Sequence, residues 1–393
     1  MRAIRANLAP GILAAAVTLA ACSSGSNLPS PGPLPANPHA VELNRLWSRN
    51  VGGGGGNQLL GLAPDVVNGE VVAAGTGGDV AAYDIATGKE LWRQHVKGGR
   101  LSGGPAIGHD LVVVGTRRGY AVALDAKTGA PKWSHYVGAP VLTSPAVGAA
   151  VVAVKTIGGS LVGLSPQSGD ELWVANEAVP SLTLRFDTRP LVADGVVYAG
   201  FADGKVAAFD AQTGKELWRE QVAQGKGDNL VADIVNVGGL MALSGGDLYV
   251  ATYQGRLVAL DASSGQVLWG HDISSYTGVG IDAVRLYVSD SNGLVHAFDL
   301  ITGVPDWTYN KLTFRDLSAA VPFGSIVVVG DHSGRLHLLD RDKGKYLGRI
   351  QVSDGAIRMP PVVAGDRLVV LAGDGTLAAY ALPAAASSGG TAQ

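Results

Sequence analysis

Few residues of this 393-residue chain have the types and spacing that could support chemistry. Among the eight histidines only His332 and His337 lie near each other, and strand alternation would place them on opposite faces, so we expect surface residues rather than metal ligands. Residues 290–293 (Asp-Ser-Asn-Gly) resemble the start of a calcium loop but lack its distal glutamate, which favours a plain turn. The glycines at 52–56 are not followed by the Lys-Ser/Thr pair of a phosphate-binding loop. The sequence therefore predicts no catalytic residue, no metal site and no cofactor.

Cys22 is the only cysteine, and its position predicts acylation. It follows a start that carries Arg2 and Arg5 and an apolar run at 8–21, which is the pattern of a signal peptide rather than of a membrane span. The Leu-Ala-Ala-Cys motif that ends at Cys22 resembles a bacterial lipobox, in which the thiol receives a diacylglycerol. An ordinary secretory signal with a chance cysteine is the alternative. Ser23 follows the cysteine, and by bacterial sorting rules this points to the outer membrane.

The rest of the chain repeats an eleven-residue phrase, which reads AYDIATGKELW at 82–92 and AFDAQTGKELW at 208–218. Each copy has a glycine six residues before an aspartate slot. Seven copies have a second glycine four residues after that slot, and six have a tryptophan eight residues after it. The eighth copy stops before its tryptophan, and the seventh has Gly348 in that slot. The seven tryptophans are Trp47, Trp92, Trp133, Trp173, Trp218, Trp269 and Trp307.

Successive repeat tryptophans are 38 to 51 residues apart, which is the period of propeller blades with four short strands. We therefore predict an all-β fold, an eight-bladed β-propeller over residues 41–383, whose N-terminal strand carries Trp47 and completes the last blade. The aspartate should cap a turn, the glycines should adopt positive φ, and each indole should pack between neighbouring blades. Outside the propeller we predict a signal peptide at 1–21, a lipidated cysteine with a proline-rich tether at 22–40, and a disordered tail at 384–393.

The pattern A-x-D-x-x-T-G-x-x-x-W resembles the tryptophan-docking motif of quinoprotein-type propellers. Some members of that family are enzymes that bind pyrroloquinoline quinone with calcium, and the alcohol-oxidising members also use a vicinal disulfide. The single cysteine excludes that disulfide, and the repeat aspartates are assigned to turns. We expect a protein that is not an enzyme, while a quinone-dependent dehydrogenase remains the alternative from another functional class.

One connection between blades departs from the repeat. The proline that begins the next blade comes 13 residues after Trp92 but 17 residues after Trp173, and the longer connection contains Ser-Leu-Thr-Leu-Arg. In an extended segment Leu182 and Leu184 would point the same way, with Arg185 beside them, which is the composition of a protein-docking hot spot. The alternative is that the leucines fold under the loop as local core.

Together with the lipobox, the tether and the propeller, this loop resembles the BamB family, the lipoprotein subunits of the β-barrel assembly machinery in Gram-negative outer membranes. The resemblance implies that Leu182, Leu184 and Arg185 dock on the periplasmic POTRA domains of BamA. A neighbouring acidic loop would assist through Asp228 and Asp233, although Val235 stands where the family has a further aspartate.

We therefore expect a lipid-anchored, non-enzymatic scaffold on the periplasmic face of the outer membrane. Nascent outer-membrane proteins are a second expected partner, through pairing with an exposed outer strand. The net charge of −3 and the scattered Lys and Arg residues give no sign of a nucleic-acid partner. A generic periplasmic propeller that binds a peptide or a cell-wall fragment remains open.

Overall fold

The computed structural model describes residues 29–53, 55, 61–98, 100–182, 188–225 and 234–383. Strands are the only regular elements in these ranges, as predicted. Within the same ranges there is no helix long and apolar enough to cross a membrane. The predicted signal peptide, Cys22 and the tail at 384–393 lie outside the described residues.

The strands form eight antiparallel sheets, which we number as blades in chain order and list from the inner to the outer strand. Blade 1 contains β2 (Asp65–Val67), β3 (Glu70–Ala74), β4 (Asp79–Asp84) and β5 (Glu90–His95). Blade 2 contains β6 (Leu101–Gly108), β7 (Leu111–Thr116), β8 (Tyr120–Asp125) and β9 (Pro131–Tyr136). Blade 3 contains β10 (Ala146–Val147), β11 (Val152–Lys155), β12 (Ser160–Leu164) and β13 (Glu171–Asn176). Blade 4 contains β14 (Leu191–Ala193), β15 (Val196–Gly200), β16 (Lys205–Asp210) and β17 (Glu216–Gln221).

The remaining blades follow the same order, except that two short strands share the inner position of blade 5. Blade 5 contains β18 (Asn236–Val237), β19 (Ala242–Ser244), β20 (Asp247–Tyr253), β21 (Leu257–Asp261) and β22 (Val267–His271). Blade 6 contains β23 (Val279–Ile281), β24 (Arg285–Ser289), β25 (Val295–Asp299) and β26 (Pro305–Tyr309). Blade 7 contains β27 (Val321–Phe323), β28 (Ile326–Gly330), β29 (Arg335–Asp340) and β30 (Tyr346–Gln351). Blade 8 contains β31 (Val362–Ala364), β32 (Arg367–Leu371), β33 (Thr376–Ala381) and β1 (Asn44–Asn50).

The ring is closed by the N-terminal strand. β1 pairs antiparallel with β33, and Trp47 lies opposite Ala379. The inner strands of blades 8 and 1 contact each other as those of other neighbouring blades do. The eight-bladed propeller with this closure is therefore confirmed.

The core is divided among the junctions between blades. Eight clusters of buried residues each join two neighbouring blades, and no single cluster spans the ring. Between blades 1 and 2, for example, Val80 and Val112 are fully buried with Trp92 beside them. Burial of each aliphatic side chain stabilises the fold by about 1.5–3 kcal/mol. Because each blade is held mainly by its neighbours, closure of the ring completes the last junctions.

Each tryptophan packs against the turn of the following blade. In blade 1, Asp84 Oδ1 accepts hydrogen bonds from Thr87 N at 2.8 Å and from its hydroxyl at 2.6 Å. Gly88 then adopts a φ of +66°, and a Cβ on it would lie 2.5 Å from the ring of Trp47. The indole Nε1 of Trp47 donates to Ile85 O at 2.8 Å. The second glycine of the other six full copies meets the preceding indole in the same way; these residues are Gly129, Gly169, Gly214, Gly265, Gly303 and Gly344.

One indole departs from this pattern. The Nε1 atom of Trp269 is buried and has no hydrogen-bond partner among the residues that the structure describes. The nearby His271 ring stacks on Phe298, with ring centroids 4.7 Å apart, and its Nε2 lies 2.7 Å from Gly303 O. Blade 5 is also where the first glycine of the repeat fails to adopt positive φ, because Gln254 has a φ of +50° in place of Gly255.

Blade 7 lacks a tryptophan and is covered by the start of the chain. We expected residues 23–39 to be a tether with little to pack, yet residues 32–40 bind the outer side of this blade. Ala40 N donates to Leu347 O at 2.9 Å, and Asn37 exchanges hydrogen bonds with the backbone of Arg349. Gly348, in the tryptophan slot, would place a Cβ 3.1 Å from Asn37 Oδ1. The extra segment therefore occupies the side of the blade that faces solvent elsewhere.

The expectation that both His332 and His337 are surface residues is wrong for His337. Its side chain is fully buried, with Nε2 3.1 Å from Asp331 Oδ2 and Nδ1 3.0 Å from Tyr346 OH. Arg315 donates to the same Asp331 oxygen at 2.8 Å and to Gly32 O at 3.0 Å. The imidazole is buried because this network satisfies its nitrogens.

The plain turn expected at 290–293 is confirmed, since Asp290 Oδ1 accepts a hydrogen bond from Leu294 N at 2.7 Å.

Candidate docking site

Two connections on one side of the ring carry the docking residues suggested by the sequence. The first docking loop, residues 177–190, joins β13 to β14, and the second docking loop, residues 222–235, joins β17 to β18. Leu184, Arg185, Asp228 and Asp233 lie outside the described residues. The described parts of both loops nevertheless define how their bases are held.

The first docking loop presents an apolar side chain to solvent. Leu182 is 42% exposed, and the preceding residues from Val179 to Ser181 are exposed as well. Leu182 is therefore not part of a buried local core. An exposed leucine in a connection has unburied apolar surface that a partner can cover.

The first docking loop begins at a position where the repeat is altered. Four residues after the tryptophan slot, which Gly348 occupies in blade 7, five blades have a buried valine. These residues are Val51, Val96, Val137, Val222 and Val352. Blade 3 has Glu177 there instead. Its backbone keeps the ordinary contact, because Glu177 N donates to Gly159 O at 3.0 Å just as Val96 N donates to Gly78 O. The difference lies in the Glu177 side chain, which forms ion pairs where the valines of the other blades pack into the core.

The Glu177 carboxylate is held by two cations from blade 4. Lys205 Nζ lies 3.0 Å from Oε1, and Arg219 donates to Oε2. Both cations have a second counter-ion, since Lys205 also pairs with Asp203 and Arg219 with Glu216. Hydrogen bonds to Asp203 and Glu177 outweigh the effect of burial and raise the pKa of Lys205. Glu177 is only 12% exposed, so solvent screens these ion pairs less than it would on an open surface.

A buried lysine lies beneath this network. Lys155 is 2% exposed and donates to Gly200 O, in a slot where the other seven blades have an uncharged residue. Its Nζ lies 5.2 Å from the centroid of the Phe201 ring, and the Arg219 guanidinium lies 5.6 Å from the same ring. Charges at apolar positions of the repeat are costly unless they are paired. Two such charges, Glu177 and Lys155, lie together with Arg219 at this junction.

The two docking loops are also joined where they end. Thr188 is fully buried, and its hydroxyl donates to Val237 O at 2.6 Å, directly after the second docking loop. The next residue, Arg189, reaches across the ring to Asp65 Oδ2 at 3.0 Å. These contacts fix the spacing between the bases of the two loops.

The described ends of the second docking loop contact the rest of the fold. Gln221 Nε2 donates to Asp203 O at 2.8 Å and to Ala223 O at 2.5 Å, which ties its start to the same hairpin as Lys205. Val235, at the position of the missing aspartate, is buried. This position therefore packs into the protein and presents no charge to a partner. The sequence analysis had noted that Val235 replaces an aspartate of the family. It missed the ion pairs of Glu177, although the sequence shows that Glu177 replaces a valine of the repeat.

Comparison with known proteins identifies the family of this propeller. A family model described as "Outer membrane protein assembly factor BamB" matches residues 40–100, 76–309 and 314–385. The outer membrane protein assembly factor BamB of Pseudomonas aeruginosa is 41% identical over 94% of this chain and 98% of its own length. The chain belongs to the BamB family.

Other members agree in sequence and in structure. BamB of Escherichia coli K12 is 34% identical over 95% of this chain and 98% of its own length. The crystal structure of BamB from Moraxella catarrhalis superimposes with a TM-score of 0.79 and 27% identity, covering 86% of this chain and 100% of that one. Because the family members are named as assembly factors, the chain is non-enzymatic and the dehydrogenase alternative is set aside. Family membership also associates it with the outer membrane.

Proposed function

We propose that this BamB-family protein is a scaffold in the assembly of outer-membrane β-barrel proteins, and that it docks on the POTRA domains of BamA. Leu182, Leu184 and Arg185 of the first docking loop would form the main contact, with Asp228 and Asp233 of the second docking loop beside it. Cys22 would carry the lipid that holds the protein on the periplasmic face of the outer membrane.

The observation that carries this proposal is the exposed Leu182 on a loop whose base is fixed. The Glu177 ion pairs hold one end of the loop, and the buried Thr188 hydroxyl holds the other. A loop with fixed ends loses less conformational entropy on binding than a free one, so more of its contact energy appears as affinity. A scaffold that presents such loops needs no chemistry and no moving part.

The test is a double variant, Leu182→Ala with Arg185→Ala, in the full-length protein extracted from the outer-membrane fraction. It should lose co-purification with BamA, because an apolar anchor and a charged anchor are both removed, while its thermal melt stays normal. The control is Leu91→Ala with Lys89→Ala, which removes a similarly exposed leucine, 45% exposed, and a cation from blade 1. Unchanged co-purification of the loop variant would rule out this loop as the anchor, and recovery of the wild type outside the outer-membrane fraction would contradict the proposed localisation.

A further inference from the structure

A basic groove lies between blades 1 and 2, away from the docking loops. It has a volume of about 440 Å³ and is lined by Gly77, His95, Val96, Gly98, Arg100, Arg117 and Arg118. Its two walls are directly joined, because Arg117 N donates to Arg100 O at 3.0 Å. The groove is therefore built from the hairpin of blade 2 and from the connection that leads into that blade.

The repeat shows that these charges are not required by the fold. Arg117 and Arg118 occupy the two positions before the hairpin glycine Gly119, and the other seven blades have neither lysine nor arginine at these two positions. In blade 4 the second of these positions is Asp203, and in blade 8 it is Asp374. The hairpin thus forms equally well without cations, and blade 2 has two of them.

Two cations of the groove, Arg100 and Arg118, differ from several arginines elsewhere in the protein. Arg189, Arg285, Arg315 and Arg358, for example, each pair with a carboxylate. Among the described residues, by contrast, no ion pair involves Arg100, Arg118 or the adjacent Lys97, and all three side chains are exposed. The nearby Asp79 is engaged by His95, with Oδ1 and Nδ1 2.8 Å apart. The repulsion among these like charges would be relieved by a bound anion.

The shape and surroundings of the groove favour a phosphate group. Guanidinium groups bind the oxygens of phosphate through paired, charge-assisted hydrogen bonds. Two exposed tyrosines flank the hairpin, Tyr120 and Tyr136, with ring centroids 5.2 Å apart. Tyrosines that combine an apolar ring with a polar tip are common where a protein meets lipid headgroups.

We propose that the groove lined by Arg100, Arg117 and Arg118 binds a phosphate group, and that a phospholipid headgroup supplies it. The inference is independent of the docking loops, which lie at the two junctions of blade 4 with blades 3 and 5. It assigns a second contact surface to the propeller. Arginine side chains of this surface would bind anionic lipid directly, separately from the lipid proposed on Cys22.

The experiment uses the unlipidated chain from residue 22 onward, which retains every residue that the structure describes. Vesicles of phosphatidylglycerol should bind it, and vesicles of phosphatidylcholine should not. Arg100→Ala with Arg118→Ala should weaken binding by about 30-fold, at roughly fivefold for each basic side chain near an anionic surface. Lys89→Ala with Lys127→Ala removes the same charge from turns on the opposite side of the ring and should leave binding unchanged.

Titration with sodium pyrophosphate separates the two sources of phosphate. Saturable binding of pyrophosphate that the arginine variant loses, without a preference for phosphatidylglycerol vesicles, would support the phosphate site but assign it to a soluble ligand. Absence of binding to both probes would overturn the proposal, and so would equal losses in the arginine and lysine variants, because net charge would then explain the effect. The arginine side chains are exposed, so a normal melt is expected for both variants.

Discussion

The two sides of the ring differ in how closely they follow the repeat. On the turn side, where the third and fourth strands of each blade connect, seven glycines meet seven indoles in one arrangement. On the loop side, where one blade leads into the next, blades 2, 3 and 7 carry charged residues that the repeat lacks. The turn side holds neighbouring blades together through the same contact at seven junctions. A change in one of these turns should therefore weaken the junction in which it lies. Loops on the other side can lengthen at small entropic cost, and that is where binding residues can differ.

The largest effect is expected from a glycine-to-alanine substitution on the turn side, which tests whether the indole contact holds the turn. Gly265 and Gly195 both have a φ of +77°, but a Cβ on Gly265 would lie 2.5 Å from Trp218, whereas nothing lies within 4 Å of Gly195. Gly265→Ala should lower the free energy of unfolding by about 3–4 kcal/mol, from backbone strain and overpacking together. Gly195→Ala should cost only the strain, about 1 kcal/mol.

Chemical denaturation of the two variants measures the difference. The matched φ values mean that the excess in Gly265→Ala reports the indole contact alone. Equal losses in the two variants would show that the tryptophan does not hold the turn, and the distinction between the two sides would then fail.

A smaller effect is expected on the loop side, and it should appear in binding rather than in stability. Glu177→Gln removes the charge that pairs the start of the first docking loop with blade 4, while Lys205 and Arg219 keep Asp203 and Glu216 as counter-ions. The affinity for BamA should fall about tenfold, since coupled charge pairs of this kind contribute about 1.4 kcal/mol or more.

Glu90→Gln is the matched control for this variant. Glu90 pairs with Arg93 at 2.7 Å on blade 1, and its loss should change neither binding nor the melt by much. Binding to BamA can be measured by surface immobilisation of either protein. If Glu177→Gln binds like the wild type, the network at the base of the loop is structural only.

The smallest effect concerns pH and the loop side of blade 7. Burial lowers the pKa of His337 more than the Asp331 carboxylate raises it, so the folded protein holds a neutral imidazole at neutral pH. The unfolded chain binds a proton near the ordinary value of about 6.5. This contribution to stability is therefore present above that value and is lost as the pH falls below it.

Between pH 7 and pH 5 the free energy of unfolding should decrease by roughly 1 kcal/mol through this group. His337→Gln should flatten that dependence relative to the wild type. Urea melts at a series of pH values provide the measurement, and an unaltered slope in His337→Gln would contradict the buried neutral histidine.

Sequence alone predicted what the repeat determines. Blade number, closure by β1 and the turns all follow from the spacing of tryptophans and glycines, because each slot has one local physical role. The contacts of Glu177 and Lys155 were not predictable in this way, since their partners come from a neighbouring blade. His337 contacts Asp331 and Tyr346 of its own blade, but the spacing of the repeat does not show that these residues enclose its ring. The repeat still marked Glu177, which stands in a valine slot. Residues 32–40 were missed because proline-rich composition indicates an extended chain but not the surface it binds.

The pairing of β1 with β33 has a consequence for how the protein is made. The strand that carries Trp47 lies at the N-terminal end of the propeller, and its partner Ala379 lies at the C-terminal end. Blades 1 to 7 can form in order from local contacts as the chain emerges, but the circle stays open until the C-terminal strand has been delivered. A chain cut short before β33 would leave β1 unpaired and exposed to proteolysis, so closure of the ring is also a check that every blade has been made.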